Sequence, residues 1–212
     1  MHNTAKEAID SVIRQMNMPD VYAADYYDCC DHGDLVAMIT DLMSAELALT
    51  ETQRLLLREA ALVHDIGKLK LSKNIYGRDK GALQITETRH MRLHATYSAE
   101  MLAYCKFDID VVEAVLHHHE SYDGSGYPDN LAGEKIPVNA RILKICDEYA
   151  ALISDRPYRK GYSADEAMKM MIENSSSYDM KLFLAFMNLV HTGGFGQVLV
   201  FADRINREHA YF

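Results

Sequence analysis

An all-α domain is predicted by three features of the sequence. Apolar residues recur at helical spacing along most of the chain, and helix-capping residues stand where those stripes begin. The only strand-like run is short and lies near the C-terminus.

The elements follow in order. Ala5, Ala8, Ile9, Val12, Ile13 and Met16 form one stripe behind a cap at Asn3 or Thr4, which predicts a helix over 3–16. A second helix begins after Pro19 and carries Leu35, Ile39, Leu42 and Met43 on its inner face, with His32 in the same register. Thr50-Glu51-Thr52-Gln53 is a capping-box pattern, and the helix it opens runs through Leu55, Leu56, Leu62 and Val63 until Gly67 stops it. Residues 72–85, with Gly77 and Gly81, read as a loop. Thr86 is a cap for a fourth helix with Met91, His94, Ala95, Ser98, Met101 and Leu102 on one face. Asp108 caps a fifth, ending in His117-His118-His119.

The run Asp123-Gly124-Ser125-Gly126-Tyr127-Pro128 holds two glycines and a proline and must be a loop with a fixed turn. A helix over 138–153 follows. Ser163 with Glu166 forms another capping box, and Asp179 caps a helix that ends near Val190. Gln197 to Phe201 reads as a strand, so the tail after Gly193-Gly194 is expected to be short and hairpin-like. The division predicted is one domain over 1–190 and a C-terminal tail over 191–212.

Composition narrows the function. A chain of 212 residues that is 49% hydrophobic can bury a substantial core, and it suits one domain better than two. The formal charge of -9 argues against binding DNA or RNA by neutralising phosphates, although a bound metal could supply the positive charge that a small anion needs. The four cysteines, Cys29, Cys30, Cys105 and Cys146, contain no CxxC pair, so reduced thiols are expected. Lys6, Glu7, Asp10 and Arg14 interrupt the N-terminal stretch, which argues against a signal peptide. No apolar run is long enough for an ordinary membrane-spanning helix, so a cytoplasmic protein without membrane insertion is expected.

Ten histidines are many for this length, and their positions matter more than their number. His32, His64, His94, His118 and His119 fall at the ends or inner faces of separate helices, and Asp65 and Asp147 add carboxylates at apolar positions. A buried carboxylate is costly unless paired or bound to a metal. Each histidine alone is explained as a hydrogen-bonded core residue; the set is not. Adjacent residues on a regular helix point about 100° apart, so His64-Asp65 and His118-His119 converge only if the helix ends there. Gly67 and the loop at 123–128 supply such ends. Imidazole and carboxylate without thiolate favour iron, manganese, nickel, cobalt or zinc. There are more candidate ligands than one tetrahedral ion uses, which predicts two metals with Asp65 as the bridge. Paired ions of this kind activate water and polarise a phosphoryl oxygen, as phosphodiester hydrolysis requires.

These residues, in this order, resemble the HD-GYP subgroup of the HD-domain metal-dependent phosphohydrolases over roughly 30–190. The markers are His32, His64-Asp65-Ile66-Gly67-Lys68, His94, His118-His119-Glu120, Asp123-Gly124-Ser125-Gly126-Tyr127-Pro128, Ala140-Arg141-Ile142, Asp147 and Asp155-Arg156-Pro157-Tyr158-Arg159. The resemblance implies an HD-domain-like helical bundle. It implies that His32, His64, Asp65 and Asp147 are the core ligands and that His94, His118 and His119 hold a second metal, with iron or manganese as the ions. It further implies that Lys68 stands near the scissile phosphate and that Tyr127, Arg156 and Arg159 contact substrate. Asp28 occupies the place of a glutamate that binds a third metal in some members. Two departures stand out: the second aspartate expected after Asp147 is Ala150, and a usual glycine is Ser98.

The implied activity is hydrolysis of a cyclic dinucleotide, cyclic di-GMP first, to a linear dinucleotide, with or without further cleavage to mononucleotides. Asp65 and Lys68 are its implied catalytic residues. The alternatives are an HD-type nucleotidase acting on another nucleotide, an HD-type di-iron oxygenase, and a module that binds the dinucleotide or a signalling partner protein without cleaving anything.

Overall fold

The computed structural model describes residues 4–18, 21, 23–75, 91–156 and 159–209. Within them the chain forms helices α1 (Ala5–Gln15), α2 (Ala23–Glu46), α3 (Glu51–Val63), α4 (Lys68–Ile75), α5 (Leu93–Tyr104), α6 (Ile109–His117), α7 (Val138–Ile153), α8 (Ala164–Glu173), α9 (Met180–Val190) and α10 (Gly196–His209). Short 3-10 turns lie at Gly133–Lys135, Ser175–Ser177 and Gly193–Phe195. No strand occurs among the described residues; a single antiparallel bridge joins Arg156 and Arg159.

Local chemistry fixes the helix starts. The Thr4 hydroxyl accepts from the Glu7 N–H, and the Ala5 N–H donates to Asp34 Oδ1 at 2.7 Å, which ties the start of α1 to α2. Reciprocal capping boxes open α3, between Thr50 and Gln53, and α8, between Ser163 and Glu166. Asp108 and Asp179 cap α6 and α9 through their carboxylates. The expected helix over 138–153 is α7. The proposed caps at Asn3 and Thr86 lie outside the described residues.

Helix α2 is the axis of the bundle. It packs against α1, α3, α4, α7, α9 and α10, and so is buried on nearly every side, from Cys29 through Leu35 and Val36 to Met43. Gly33 makes this closeness possible: a Cβ there would stand 2.8 Å from the Leu62 carbonyl oxygen of α3. Helices α5 and α6 form a pair, with α6 resting on α3 and α7. The lower core is aromatic. Tyr149, Phe186 and Phe195 are fully buried and meet edge to face, with centroids 5.2 to 6.1 Å apart.

Two expectations are corrected. The third helix ends at Val63 and not at Gly67, a turn covers 64–67, and residues 72–75 of the expected 72–85 loop belong to α4. The remainder of the expected loop, 76–85, lies outside the described residues. The run from Gln197 to Phe201 belongs to α10, not to a strand or hairpin. Its Val-Leu-Val-Phe sequence has strand propensity, but Val198, Ala202 and Ile205 are spaced by four and three residues and are all buried in the core that contains α2. That stripe requires a helix, and burial overrides local preference.

All four cysteines are free. No single helix among the described residues is long and apolar enough to cross a membrane.

Replacing Phe186 with Ala should cost about 3–5 kcal/mol of stability, because neither Tyr149 nor Phe195 can collapse into the space. Urea unfolding followed by circular dichroism measures this, and a loss under about 1 kcal/mol would show that the aromatic cluster is not tightly packed.

Candidate metal centre

The residues expected to hold the first two metals, His32, His64, Asp65, His94, His118, His119 and Asp147, reach one locus. His32 comes from the middle of α2 and Asp147 from α7. His64 is the C-cap of α3 and Asp65 follows it in the turn. His94 lies in the first turn of α5. His118 is the C-cap of α6, and His119 is the next residue. Both adjacent pairs therefore sit where a helix has just ended, and there neighbouring side chains can point to the same place.

The backbone sets the imidazoles. His64 Nδ1 lies 2.8 Å from the Ala61 carbonyl, His94 Nδ1 2.5 Å from that of Met91, and His118 Nδ1 2.6 Å from that of Val115. A carbonyl only accepts, so each Nδ1 carries the proton and each neutral ring presents an Nε2 lone pair. In all three cases the carbonyl belongs to the residue three positions back, which turns Nε2 into the cluster.

Those lone pairs crowd one another. His94 Nε2 stands 3.4 Å from His118 Nε2, and His64 Nε2 is buried with no hydrogen-bond partner, while His119 Nε2 lies at hydrogen-bond distance, 3.0 Å, from His94 Nε2. Burial, with the neighbouring His64 and His94, pushes the His118 pKa down to about 3. Burial likewise lowers His94 and His119, so protons do not relieve the crowding. His64 differs: against the effect of burial, Asp65 and then Asp147 raise its pKa.

The carboxylates divide the cluster into two halves. Asp147 Oδ1 lies 2.8 Å from His32 Nε2 and 3.4 Å from His64 Nε2. Asp65 faces both ways: its Oδ2 is 3.5 Å from His64 Nε2 and 3.9 Å from His32 Nε2, while its Oδ1 is 3.3 Å from His94 Nε2. Burial opposes charge on both acids. Lys68 and the histidines nevertheless hold Asp65 well below the usual carboxylate range, and His32 and His64 do the same for Asp147. Three ligand groups emerge, each with its donor atoms within 4.8 Å of one another: His32, His64 and Asp147; His64, Asp65 and His118; His94, His118 and His119. Inward lone pairs, an orphaned imidazole nitrogen and two desolvated carboxylates fit divalent cations.

Supporting contacts lock the turn that carries Asp65. The Cys29 thiol donates to the Asp65 carbonyl, and the Gly67 N–H donates to Ser98 Oγ at 2.8 Å. Only glycine fits at 67, since a Cβ would lie 2.3 Å from the His94 carbonyl oxygen. The hydroxyl of Ser98, standing where the family pattern has glycine, thus joins the turn after α3 to α5. Ala150, the other departure, is fully buried and offers Asp147 no polar support.

The remaining expected site residues do not behave alike. Lys68, at the start of α4, is ion-paired with Asp65, whose charge raises the lysine pKa in spite of burial. The Tyr127 ring stacks on His119, with centroids 4.9 Å apart and planes at 27°. Arg156 lies at the edge of a cleft shared with His32 and Asp28, 3.5 Å from the Asp28 carboxylate. Asp28 therefore faces an arginine. Arg159 does not come to the centre: its guanidinium donates to the carbonyls of Ala151, Leu152, Ser154 and Lys160 and closes the C-terminal end of α7. The sequence reading also passes over Arg92, whose exposed guanidinium lies 5.0 Å from the centroid of the Tyr127 ring. Its place two residues before His94 was the one signal available.

Buried imidazoles and carboxylates at the meeting point of a helical bundle define a candidate His/Asp metal centre. The chain belongs to the HD domain family, whose model matches residues 14–182. It is 39% identical over 163 residues to a cyclic di-GMP phosphodiesterase of Pseudomonas aeruginosa, covering 75% of this chain and 38% of that protein. It is 37% identical over 155 residues to a 3′3′-cGAMP-specific phosphodiesterase of Vibrio cholerae, covering 73% and 34%. The chain thus spans little more than a third of these relatives' lengths. In structure it matches an HD-GYP-type protein from Bdellovibrio bacteriovorus with a TM-score of 0.63 at 17% identity, over 89% of this chain and 61% of the other. A cyclic GMP-AMP phosphodiesterase of V. cholerae matches with a TM-score of 0.64 at 16% identity, over 95% and 53%. These likenesses bear out the HD-GYP resemblance and the helical fold it implies.

Manganese or ferrous iron should therefore stabilise metal-free protein. At about a hundredfold excess over Kd the gain is about 2.7 kcal/mol, or roughly 5–10 °C in melting temperature for a chain of this size. Asp65→Asn should remove most of that rise. A melting temperature unmoved by either ion would show that the cluster holds no divalent metal.

Proposed function

We propose that this chain is a metal-dependent phosphodiesterase that opens a cyclic dinucleotide, cyclic di-GMP foremost, to the linear dinucleotide, with GMP from a second cleavage. The observation that carries the reading is the two-sided placement of Asp65, with one oxygen toward His64 and His32 and the other toward His94. A carboxylate so placed can bridge two ions. Iron or manganese suits the donor set, with His32, His64, Asp65 and Asp147 holding one ion and His94, His118, His119 and Asp65 the other. When bound, such ions supply the Lewis acidity that activates water and polarises phosphoryl oxygens. The domain at work covers residues 1–190, joined by the packed residues that follow.

The chain's own groups do the rest. The Lys68 ammonium, held protonated beside Asp65, is placed to stabilise charge that grows on the phosphoryl oxygens. Arg156 stands at the mouth of the adjoining cleft, where a guanidinium can grip phosphate or a guanine edge. Tyr127 keeps the His119 ring oriented by stacking, with the Arg92 guanidinium also over its ring, so the two side chains meet substrate together. Asp28 is assigned to Arg156 and not to a third ion. Arg159 acts at one remove, by fixing the backbone from which Arg156 projects. The similarity to phosphodiesterases of two different cyclic dinucleotides supports this substrate class over a mononucleotide.

In manganese- or iron-loaded protein, Asp65→Ala should abolish release of linear dinucleotide from cyclic di-GMP, read by chromatography; turnover retained within tenfold would refute its role. Oxygen consumption without phosphodiester cleavage would instead identify an oxygenase, and tight binding of intact cyclic dinucleotide without turnover a binding module.

The two arginines should separate. Arg156→Ala should raise KM about tenfold, the loss of roughly one charged hydrogen-bond contact, with the melting temperature unchanged. Arg159→Ala should lower the melting temperature, because it leaves carbonyls of α7 without their donor. Equal melting temperatures with equal KM increases would place both side chains on substrate.

A further inference from the structure

The C-terminal helix lies beyond the family match, which ends at residue 182, and carries no ligand of the metal centre. It is nevertheless built into the loop that bears Arg156. The Asp155 N–H donates to Asn206 Oδ1 at 2.7 Å, and Asn206 Nδ2 donates to the Ile153 carbonyl at 3.1 Å. One amide thus holds both sides of the backbone just before Arg156. Ile205 and Asn206 also line the cleft that contains His32, Asp28 and Arg156.

The segment needs such a clamp. Helix α7 ends at Ile153, and the chain then turns into the narrow Arg156–Arg159 bridge, closed by paired backbone hydrogen bonds of 2.8 and 3.0 Å. Inside the turn, Asp155 Oδ1 accepts from the Gly161 N–H and Oδ2 pairs with Lys160, which fixes its shape but not its direction relative to α2. Asn206 ties the backbone of this segment to α10, which packs on α2 and places Val198, Ala202 and Ile205 in the core. Beside the direct contact of the Arg156 side chain with Asp28 on α2, this amide ties the backbone before Arg156 to the helix that packs on α2.

We propose that α10 forms a wall of the substrate cleft and that Asn206 is a positioning residue, setting Arg156 against the phosphate or guanine edge of the dinucleotide. The inference rests on the assignment of Arg156 to substrate made above. A guanidinium left free to move loses more binding than rate, since it lies beside the metal centre and not within it.

The test compares steady-state kinetics on cyclic di-GMP for manganese-loaded wild type, Asn206→Ala, Arg156→Ala, the double variant, and Val198→Ala. The last weakens the packing of α10 without touching the clamp. Asn206→Ala should raise KM about five- to tenfold, the value of one or two hydrogen bonds, with kcat within about twofold. In the Arg156→Ala background it should add almost nothing, since the group it positions is gone. Val198→Ala should lower the melting temperature and leave KM near wild type.

An Asn206→Ala effect of the same size with and without Arg156, or a KM rise in Val198→Ala as large as that in Asn206→Ala, would overturn the positioning role. A raised KM in Arg156→Ala with none in Asn206→Ala would overturn the role of α10 alone. Unchanged KM in Arg156→Ala would overturn the substrate assignment of that arginine, and the present inference with it.

Discussion

The structure depends on one repeated contact, an imidazole Nδ1–H donated to the carbonyl three residues earlier. His64, His94 and His118 all make it. In each case the bond settles the tautomer and aims the Nε2 lone pair inward, a task that would otherwise fall to a separate carboxylate or water. The consequence is electrostatic. The neutral rings of His94 and His118, whose lone pairs meet at 3.4 Å, repel one another, and the low dielectric around them makes that repulsion costly. A cation turns the same geometry from a defect into a binding site.

Much of the bundle serves to hold that convergence. Helix α2 lies at the axis because it carries His32 and must meet α3, α7 and α10 at once. Close approach at Gly33 lets α3 lie flat against it, and close approach at Gly67 brings the His64-Asp65 turn under α5. Ser98, where the HD-GYP resemblance leads one to expect glycine, stands at that junction. Here the hydroxyl fills the space and satisfies the Gly67 N–H, so the departure preserves the junction by other means.

What was legible in the sequence was what local chemistry decides. Thr4, Thr50, Asp108, Ser163 and Asp179 cap helices because their side chains bond to backbone two or three residues away, and such bonds need no knowledge of the fold. The convergence of His64 with Asp65 was readable for a related reason: a helix end is a local event, although it falls at Val63, ahead of Gly67. The C-terminal helix was misread because Val198 to Phe201 has strand propensity over a short window. The stripe of Val198, Ala202 and Ile205 is visible only over a longer one, and its meaning depends on α2 lying opposite. Arg156 and Arg159 could not be told apart, since both stand in one motif. Only their partners in the fold, Asp28 for one and the carbonyls of α7 for the other, decide that one faces the cleft and the other the end of the helix.

Charge links the metal to the ligand. On the proposed reading a chain with a formal charge of -9 holds a dianionic dinucleotide, and two of the cations beside its centre are already partnered: Lys68 with Asp65, and Arg156 with Asp28. Neither gives the cleft a net positive charge. On the proposed reading the surplus comes from the divalent ions, the largest local charges in such a site. Metal and dinucleotide then strengthen each other's binding by the same factor, as linkage requires. Asp28 fits this scheme as more than a relic of a third metal site. On the proposed reading its carboxylate and the phosphate compete for the same guanidinium, so Asp28 sets how tightly Arg156 holds the anion.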